Sequence, residues 1–224
     1  MDLYKMITKE QPFHIVSEQY IKLKTNIEYS SIDQPLQVIN ITSTIANEGK
    51  TLTALNLANV YAQTKKKVLL IDMDLRNPNI HKAFDITNQG GLTGYILGKN
   101  KLEESITTVS TYFDMMHSGE KIPFPAELLT SNKVKNMMAQ LKKQYEMIII
   151  DCPPLSAVAD ALMISNIADG TLYVIAARSI DKKHAKRMIK DLKDNGIRVI
   201  GGVMTKVKKS DLNYGKDYYY YYGH

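Results

Sequence analysis

A single cysteine, Cys152, in a chain of 224 residues excludes an internal disulfide. Histidine is also sparse: His14, His81, His117, His184 and His224 show no ligand spacing, so no zinc or iron–sulfur site is expected. Long hydrophobic runs are missing, since stretches such as Met147–Ile150 and Leu172–Ala177 fall far below the roughly 20 residues of a membrane-spanning helix. No basic segment followed by an apolar stretch opens the chain, so a secretory signal is not expected and the expected compartment is the cytoplasm. Acidic residues are in mild deficit, 23 against 29 Lys and Arg, and solvated lysine faces account for the resulting +6. Nucleic acid has only Lys182-Lys183 and Lys208-Lys209 to recommend it and is not an expected partner. Tryptophan is absent and phenylalanine numbers four, which leaves aromaticity to 14 tyrosines. Six of them, Tyr214 and Tyr218 to Tyr222, crowd the last 11 residues.

What remains is an ordinary globular composition, 44% hydrophobic and 23% charged, with enough material for one large α/β domain. Candidate strands are Val38–Thr42, Val68–Met73, Tyr112–His117, Met147–Asp151, Thr171–Ala177 and Val199–Met204. They are short and β-branched, and several lack polar alternation, as strands covered on both faces should. Helical spacing separates them, for example Leu52, Leu55, Ala58 and Ala62, or Met188, Ile189 and Leu192. This alternation predicts a doubly wound, mostly parallel sheet. Ser17–Tyr29 reads as an extra N-terminal helix capped by Ser17. The expected organisation is one domain over 1–209 and a flexible, tyrosine-rich tail over 210–224.

The first strand runs into Ser43-Thr44-Ile45-Ala46-Asn47-Glu48-Gly49-Lys50-Thr51, and an amphipathic helix follows. A strand, a turn and a helix opening on Gly-Lys-Thr is the context of a phosphate loop. Backbone N–H groups and a helix N-terminus face the β- and γ-phosphates, a lysine neutralises them, and a hydroxyl ligates magnesium. The first glycine of the pattern G-x-x-x-x-G-K-[ST] is replaced by Thr44. Two further strands end in carboxylates: Val68 to Ile71 leads into Asp72-Met73-Asp74-Leu75-Arg76, and Met147 to Ile150 into Asp151. In a parallel sheet these ends share one edge, where ligands bind. Thr51, Asp72, Asp74 and Asp151 could then furnish the hard oxygen donors that Mg2+ prefers.

Together the three motifs resemble the Walker A, A′ and B elements of bacterial tyrosine kinases of the polysaccharide-export type. Asp72-x-Asp74-x-Arg76 is the most specific, and Gly91-Leu92 to Leu97-Gly98, Pro123-x-Pro125-x-Glu127-Leu128-Leu129 and Asp160-Ala161 also look like family positions. The resemblance implies a P-loop NTPase-type fold and an ATP- and Mg2+-dependent autokinase that modifies its own C-terminal tyrosines and regulates capsule or exopolysaccharide synthesis. It implies nucleotide contacts from Thr44, Ala46, Asn47, Glu48, Gly49, Lys50 and Thr51. Lys50 would neutralise phosphate charge and Thr51 would ligate the metal. Asp74 and Asp151 would hold the ion directly or through water, and Asp72 would orient it or take the tyrosine proton. The partners implied are a membrane-bound polysaccharide co-polymerase acting through its cytosolic tail, a phosphotyrosine phosphatase, and further copies of the chain in a homo-oligomer. The enzyme would then be cytoplasmic and recruited to the inner face of the membrane.

Several positions depart from the family pattern. The assembly motif E-x-x-R-x-x-R is reduced to Glu18, Ile21 and Lys24, and lysine lacks the bidentate geometry of arginine. Asn47 replaces a common glycine but tolerates positive φ. Thr205-Lys206 stands where relatives often carry Asn-Lys near the adenine, and Cys152, in place of a common threonine, reads as a small packed residue. The main alternative is a non-kinase ATPase switch of the partitioning or division-site type. Its signature lysine would fall at Ile45, and the tail lacks the periodicity of an amphipathic membrane helix. A catalytically weak nucleotide-bound adaptor is disfavoured by Lys50, Thr51 and the three aspartates, and a GTPase by the lack of N-K-x-D. From Lys206 to Tyr218 the chain can extend at most about 40 Å, against a radius of gyration near 17 Å for a globule of this size. Its own site and a neighbour's are both within reach. Six phosphates would add roughly −9 to −12 charges, enough to drive an oligomer apart.

Overall fold

The computed structural model describes residues 5–123, 125–155, 160–179 and 181–208. The tyrosine tail lies outside the described residues. The chain opens with α1 (Ile7–Glu10) and α2 (Ile15–Ser30), followed by β1 (Val38–Ser43), α3 (Lys50–Gln63) and β2 (Val68–Asp72). Next come α4 (Ile80–Ala83), α5 (Gly91–Ile96), β3 (Thr107–Ser110) and β4 (Phe113–Met116). The second half holds α6 (Pro125–Leu129), α7 (Asn132–Gln144), β5 (Met147–Asp151), α8 (Asp160–Ser165), β6 (Gly170–Ala176), α9 (Lys182–Asp194) and β7 (Val199–Thr205).

The sheet order is β3-β4-β2-β5-β1-β6-β7, parallel throughout except for the antiparallel pair β3–β4. Both faces are covered, which explains the missing alternation. Val68, Leu70 and Ile149 pack under α3 with Leu55, Ala58 and Tyr61. Their strand neighbours Leu69, Ile71, Ile148 and Ile150 point the other way, against Leu92, Met137, Leu141 and Ile164 of α5, α7 and α8. The six expected strands are present with ends shifted by a residue or so. The additional β3 is a four-residue edge strand whose side chains are mostly exposed, so hydrophobic patterning gave no signal for it.

The N-terminus differs from expectation in its cap and in an added helix. α2 begins two residues earlier than Ser17, with His14 at the N-cap accepting from the Val16 N–H. The Ser17 hydroxyl instead donates to the carbonyls of Gln11 and Ile7, tying the preceding turn to the helix. α1 is pinned by Thr8, whose N–H and hydroxyl both donate to Asn56 Oδ1 at 3.0 Å while Asn59 donates to the Thr8 hydroxyl at 2.9 Å. Lys24, the remnant of the assembly motif, is turned inward. It reaches Glu28 at 2.8 Å, Lys66 takes the other oxygen at 2.9 Å, and both ammonium groups lie over the Tyr61 ring.

Replacing Asn56 by Ala leaves the buried Thr8 N–H without its acceptor. The expected loss is about 1 to 3 kcal/mol of unfolding free energy, read as a lower urea midpoint, and an unchanged midpoint would show that α1 does not anchor the fold.

Candidate active site

β1 delivers the phosphate loop to the C-terminal edge of the sheet and α3 begins inside it. Only Asn47 (φ 64°) and Gly49 (φ 94°) in the loop take positive φ. Thr44, where the pattern asks for glycine, has an ordinary backbone, so a side chain is tolerated there. Its hydroxyl meets the Tyr173 hydroxyl at 2.7 Å in the interior.

The conformation of the loop is set from inside by Glu48. This buried carboxylate accepts from the N–H groups of Thr44 (2.8 Å) and Ile45 (3.0 Å) through one oxygen. Its other oxygen takes the Ala176 N–H at 3.1 Å and the Ser179 hydroxyl at 2.7 Å. The side chains of Thr44 and Glu48, expected among the nucleotide contacts, are therefore turned away from the cleft into the framework of the loop. A second clamp comes from β7 and its end. The Thr205 hydroxyl donates to the Glu48 carbonyl at 2.6 Å and Lys206 to the Asn47 carbonyl at 2.6 Å. Sequence flagged Thr205-Lys206 only for its place near the base. The clamping role arises from contacts more than 150 residues apart, for which local sequence carries no signal.

Beside the loop opens a cleft of about 780 Å³ lined by Ala46, Asn47, Gly49, Lys50, Thr51 and Asp74, with Arg76, Asn77 and Lys206 among its other walls. Lys50 Nζ stands 3.9 Å from Asp74 Oδ2, and Thr51 donates to Asp151 Oδ2 at 2.6 Å. Asp72 and Asp151 are register partners on β2 and β5, which places their carboxylates side by side. Asp72 is turned to the backbone, accepting N–H groups of Asp74, Asn79 and Ile80 at 3.1 Å each. Of the three carboxylates, Asp74 is the one that lines the cleft. Arg76 grips Asp160 at 2.7 Å, joining the end of β2 to the start of α8.

Electrostatics follow from crowding and burial. Burial, then the neighbouring Asp151 charge, pushes the Asp72 carboxyl well above its usual range. Burial raises Asp74 against the opposing pull of Lys50, and raises Asp151 to about 6. Asp151 Oδ1 is buried with no partner among the described residues. An uncommitted carboxylate oxygen beside a threonine hydroxyl and an excess of negative charge suit a hard divalent cation. No cluster of three or more His, Cys, Asp or Glu among the described residues closes a metal site alone. Mg2+ at Thr51 and Asp151 would thus share its coordination with phosphate oxygens and water. Cys152 is buried, as its reading as a packed residue required.

The AAA domain family model matches residues 36–195. Tyrosine-protein kinase YwqD of Bacillus subtilis is 39% identical over 96% of this chain and 90% of its own length. The chain belongs to the bacterial tyrosine-protein kinases. The putative tyrosine-protein kinase CapB of Staphylococcus aureus is 32% identical, with 96% of this chain and 93% of the relative covered. A Klebsiella pneumoniae relative, a putative tyrosine-protein kinase in the cps region, is 34% identical over 94% of this chain, but the kinase spans only 29% of it. Among solved structures, the chimerical protein CapA2B2 superposes with a TM-score of 0.88 at 33% identity, covering 91% of this chain and 90% of the other. The kinase domain of Escherichia coli ETK gives 0.85 at 26%, covering 93% and 84%. The septum site-determining protein MinD of Pyrococcus horikoshii, complexed with Mg-ADP, is 22% identical with a TM-score of 0.63 over 75% of this chain and 69% of its own, a likeness of fold alone. Among the described residues no helix is long and apolar enough to cross a membrane.

Two outcomes check this site. Glu48→Gln replaces half of the acceptor set with a donor facing N–H groups, and Mg-ADP affinity should fall about tenfold or more by calorimetry with Lys50 and Thr51 intact. Asp151 has a folded pKa raised above its unfolded value, so its contribution is most favourable below about pH 4 and is lost as pH rises through about 6. Asp151→Asn should therefore be more stable than wild type at pH 8, by on the order of 3 kcal/mol of unfolding free energy, with the gap closing by about pH 4. A gap independent of pH would refute the burial argument.

Proposed function

We propose that the domain over 1–209 transfers the γ-phosphoryl group of ATP to the tyrosines of the tail over 210–224, Tyr214 and Tyr218 to Tyr222, and that this regulates capsule or exopolysaccharide synthesis. The observation that carries the reading is Lys50 and Asp74, 3.9 Å apart on the lining of a cleft of about 780 Å³, with Thr51 donating to Asp151 at 2.6 Å, in a chain whose last 11 residues hold six tyrosines. Phosphoryl transfer rests on positioning and charge neutralisation. Asn47, Gly49 and the α3 N-terminus present backbone N–H groups to phosphate, and Lys50 balances charge on the β- and γ-phosphates. Mg2+, when bound by Thr51 and Asp151, supplies further neutralisation of the phosphates. As the tyrosine oxygen gains the phosphoryl group and ADP leaves, the phenol proton passes to Asp74 on the cleft wall rather than to Asp72, the expected acceptor, whose oxygens already accept the Asp74, Asn79 and Ile80 N–H groups. Burial makes Asp74 a stronger base than an exposed aspartate. Asp72 holds the Asn79–Ile80 backbone and so fixes the wall beside it.

The same reading places the enzyme in the cytoplasm, at the inner face of the membrane, where the cytosolic tail of a membrane-bound polysaccharide co-polymerase activates it. A phosphotyrosine phosphatase reverses the modification, and the active form is a homo-oligomer. The name of one relative, a putative tyrosine-protein kinase in the cps region, supports the link to capsule synthesis. Within the chain Lys24 is engaged by Glu28.

Intact-mass spectrometry after incubation with Mg-ATP and the activator's cytosolic tail tests the proposal. Wild type should gain steps of one phosphate mapping to Tyr214 and Tyr218–Tyr222. Lys50→Met should be slower by about 100-fold or more, and a chain ending at Asn213 should gain none. ATP hydrolysis without any gain in mass would favour the ATPase switch instead.

A further inference from the structure

α9 carries a one-sided band of lysines. Its inward face is fixed by buried Ala185 and Leu192, with Met188 and Ile189 packed toward Tyr173 and Ile197. At about 100° per residue, Lys182, Lys183, Lys186, Lys190 and Lys193 fall within an arc of about 100° beside that face. Asp191 lies outside the arc and Asp194 at its border. All five lysines are exposed. Among the described residues, none of the five appears in an ion pair. Lys182, Lys186 and Lys190 follow one another at i, i+4, a like-charge arrangement that weakens an isolated helix. Asp181 at the N-cap and Asp194 at the border of the band are the nearby acids on the helix, and no ion pair among the described residues joins either to the five lysines, so the band suits an anionic partner.

The position of the band selects the partner. α9 joins the parallel strands β6 and β7, so it runs back along the sheet and its N-terminal end lies at the edge where β7 finishes. Lys206 is fastened there to the phosphate loop, and the sequence continues past Lys208 for 16 residues. From Lys208 to Tyr218 the chain reaches at most about 35 Å extended and roughly 16–19 Å as a coil, while α9 is about 20 Å long. We propose that the lysine band of α9 is the docking surface for the phosphorylated tyrosine tail of this same chain. The inference rests on the tail phosphorylation proposed above. In an extended segment alternate side chains share a side about 7 Å apart, so phosphates on Tyr218, Tyr220 and Tyr222 would span about 14 Å. The five lysines span about 17 Å of helix. Each phosphate brings about −1.5 to −2 charges, and a tethered tail meets the band at millimolar effective concentration. Modified tyrosines would thereby be drawn off the cleft edge onto α9, leaving the cleft open to the next one.

Fluorescence anisotropy with labelled synthetic peptides of residues 210–224 tests the surface, using the full chain without ATP. The peptide phosphorylated at Tyr218, Tyr220 and Tyr222 should bind about tenfold or more tightly than its unphosphorylated form, with an advantage that shrinks as salt rises. A K182Q/K183Q/K186Q/K190Q/K193Q chain should keep its melting temperature and lose that advantage. Equal affinity for the two peptides, or a preference that survives in the variant, would overturn the proposal. So would loss of binding to phosphatidylserine vesicles in the variant with no peptide preference in wild type, which would assign the band to a membrane surface. Because the phosphates are installed by synthesis, failure here stands apart from failure of self-phosphorylation, which the mass measurement reads.

Discussion

Three carboxylates are gathered at one buried sheet edge with Lys50 as the nearby cation, and the rest of the site is arranged around that imbalance. Parallel pairing of β2 with β5 leaves little choice, since Asp72 and Asp151 are register partners. Backbone N–H groups quiet Asp72, the Thr51 hydroxyl engages one oxygen of Asp151, and Lys50 stands near Asp74. These contacts leave all three carboxyls above their ordinary range, with burial the largest cause each time. Such a site gains stability by acquiring positive charge. It exchanges some stability of the folded chain for readiness to hold a cation and a polyphosphate.

The phosphate loop shows the complementary solution for the opposite charge. Backbone N–H groups that a nucleotide does not use still need acceptors, and Glu48 supplies them from within. The loop is thereby shaped by bonds to β6 and its end and to β7 and its end. Preorganisation of this kind removes part of the ordering cost from nucleotide binding.

The parts legible in the sequence are those whose signal is local. Gly49-Lys50-Thr51 between an apolar strand and a helix, and aspartates at the ends of β2 and β5, are signals of that kind, and the fold brings them to one edge of the sheet. Thr44 looked like a defect only because the pattern expects glycine there, whereas its backbone needs none. The inward turn of Glu48, the clamp from Thr205 and Lys206, and the anchoring of α1 by Asn56 depend on partners at least 48 residues away in at least one bond each. β3 escaped because a short exposed edge strand carries almost no burial pattern. Lys24 was legible as a departure from the assembly motif, but its engagement by Glu28 over the Tyr61 ring was not, because Tyr61 comes from α3.

The lone thiol sits directly behind Asp151, fully buried, and burial pushes its pKa well above that of a free cysteine. Alkylating reagents attack the thiolate, so they can reach Cys152 only when the end of β5 parts from its neighbours. Its labelling rate therefore serves as an intrinsic clock for breathing of the sheet edge beneath the phosphate loop.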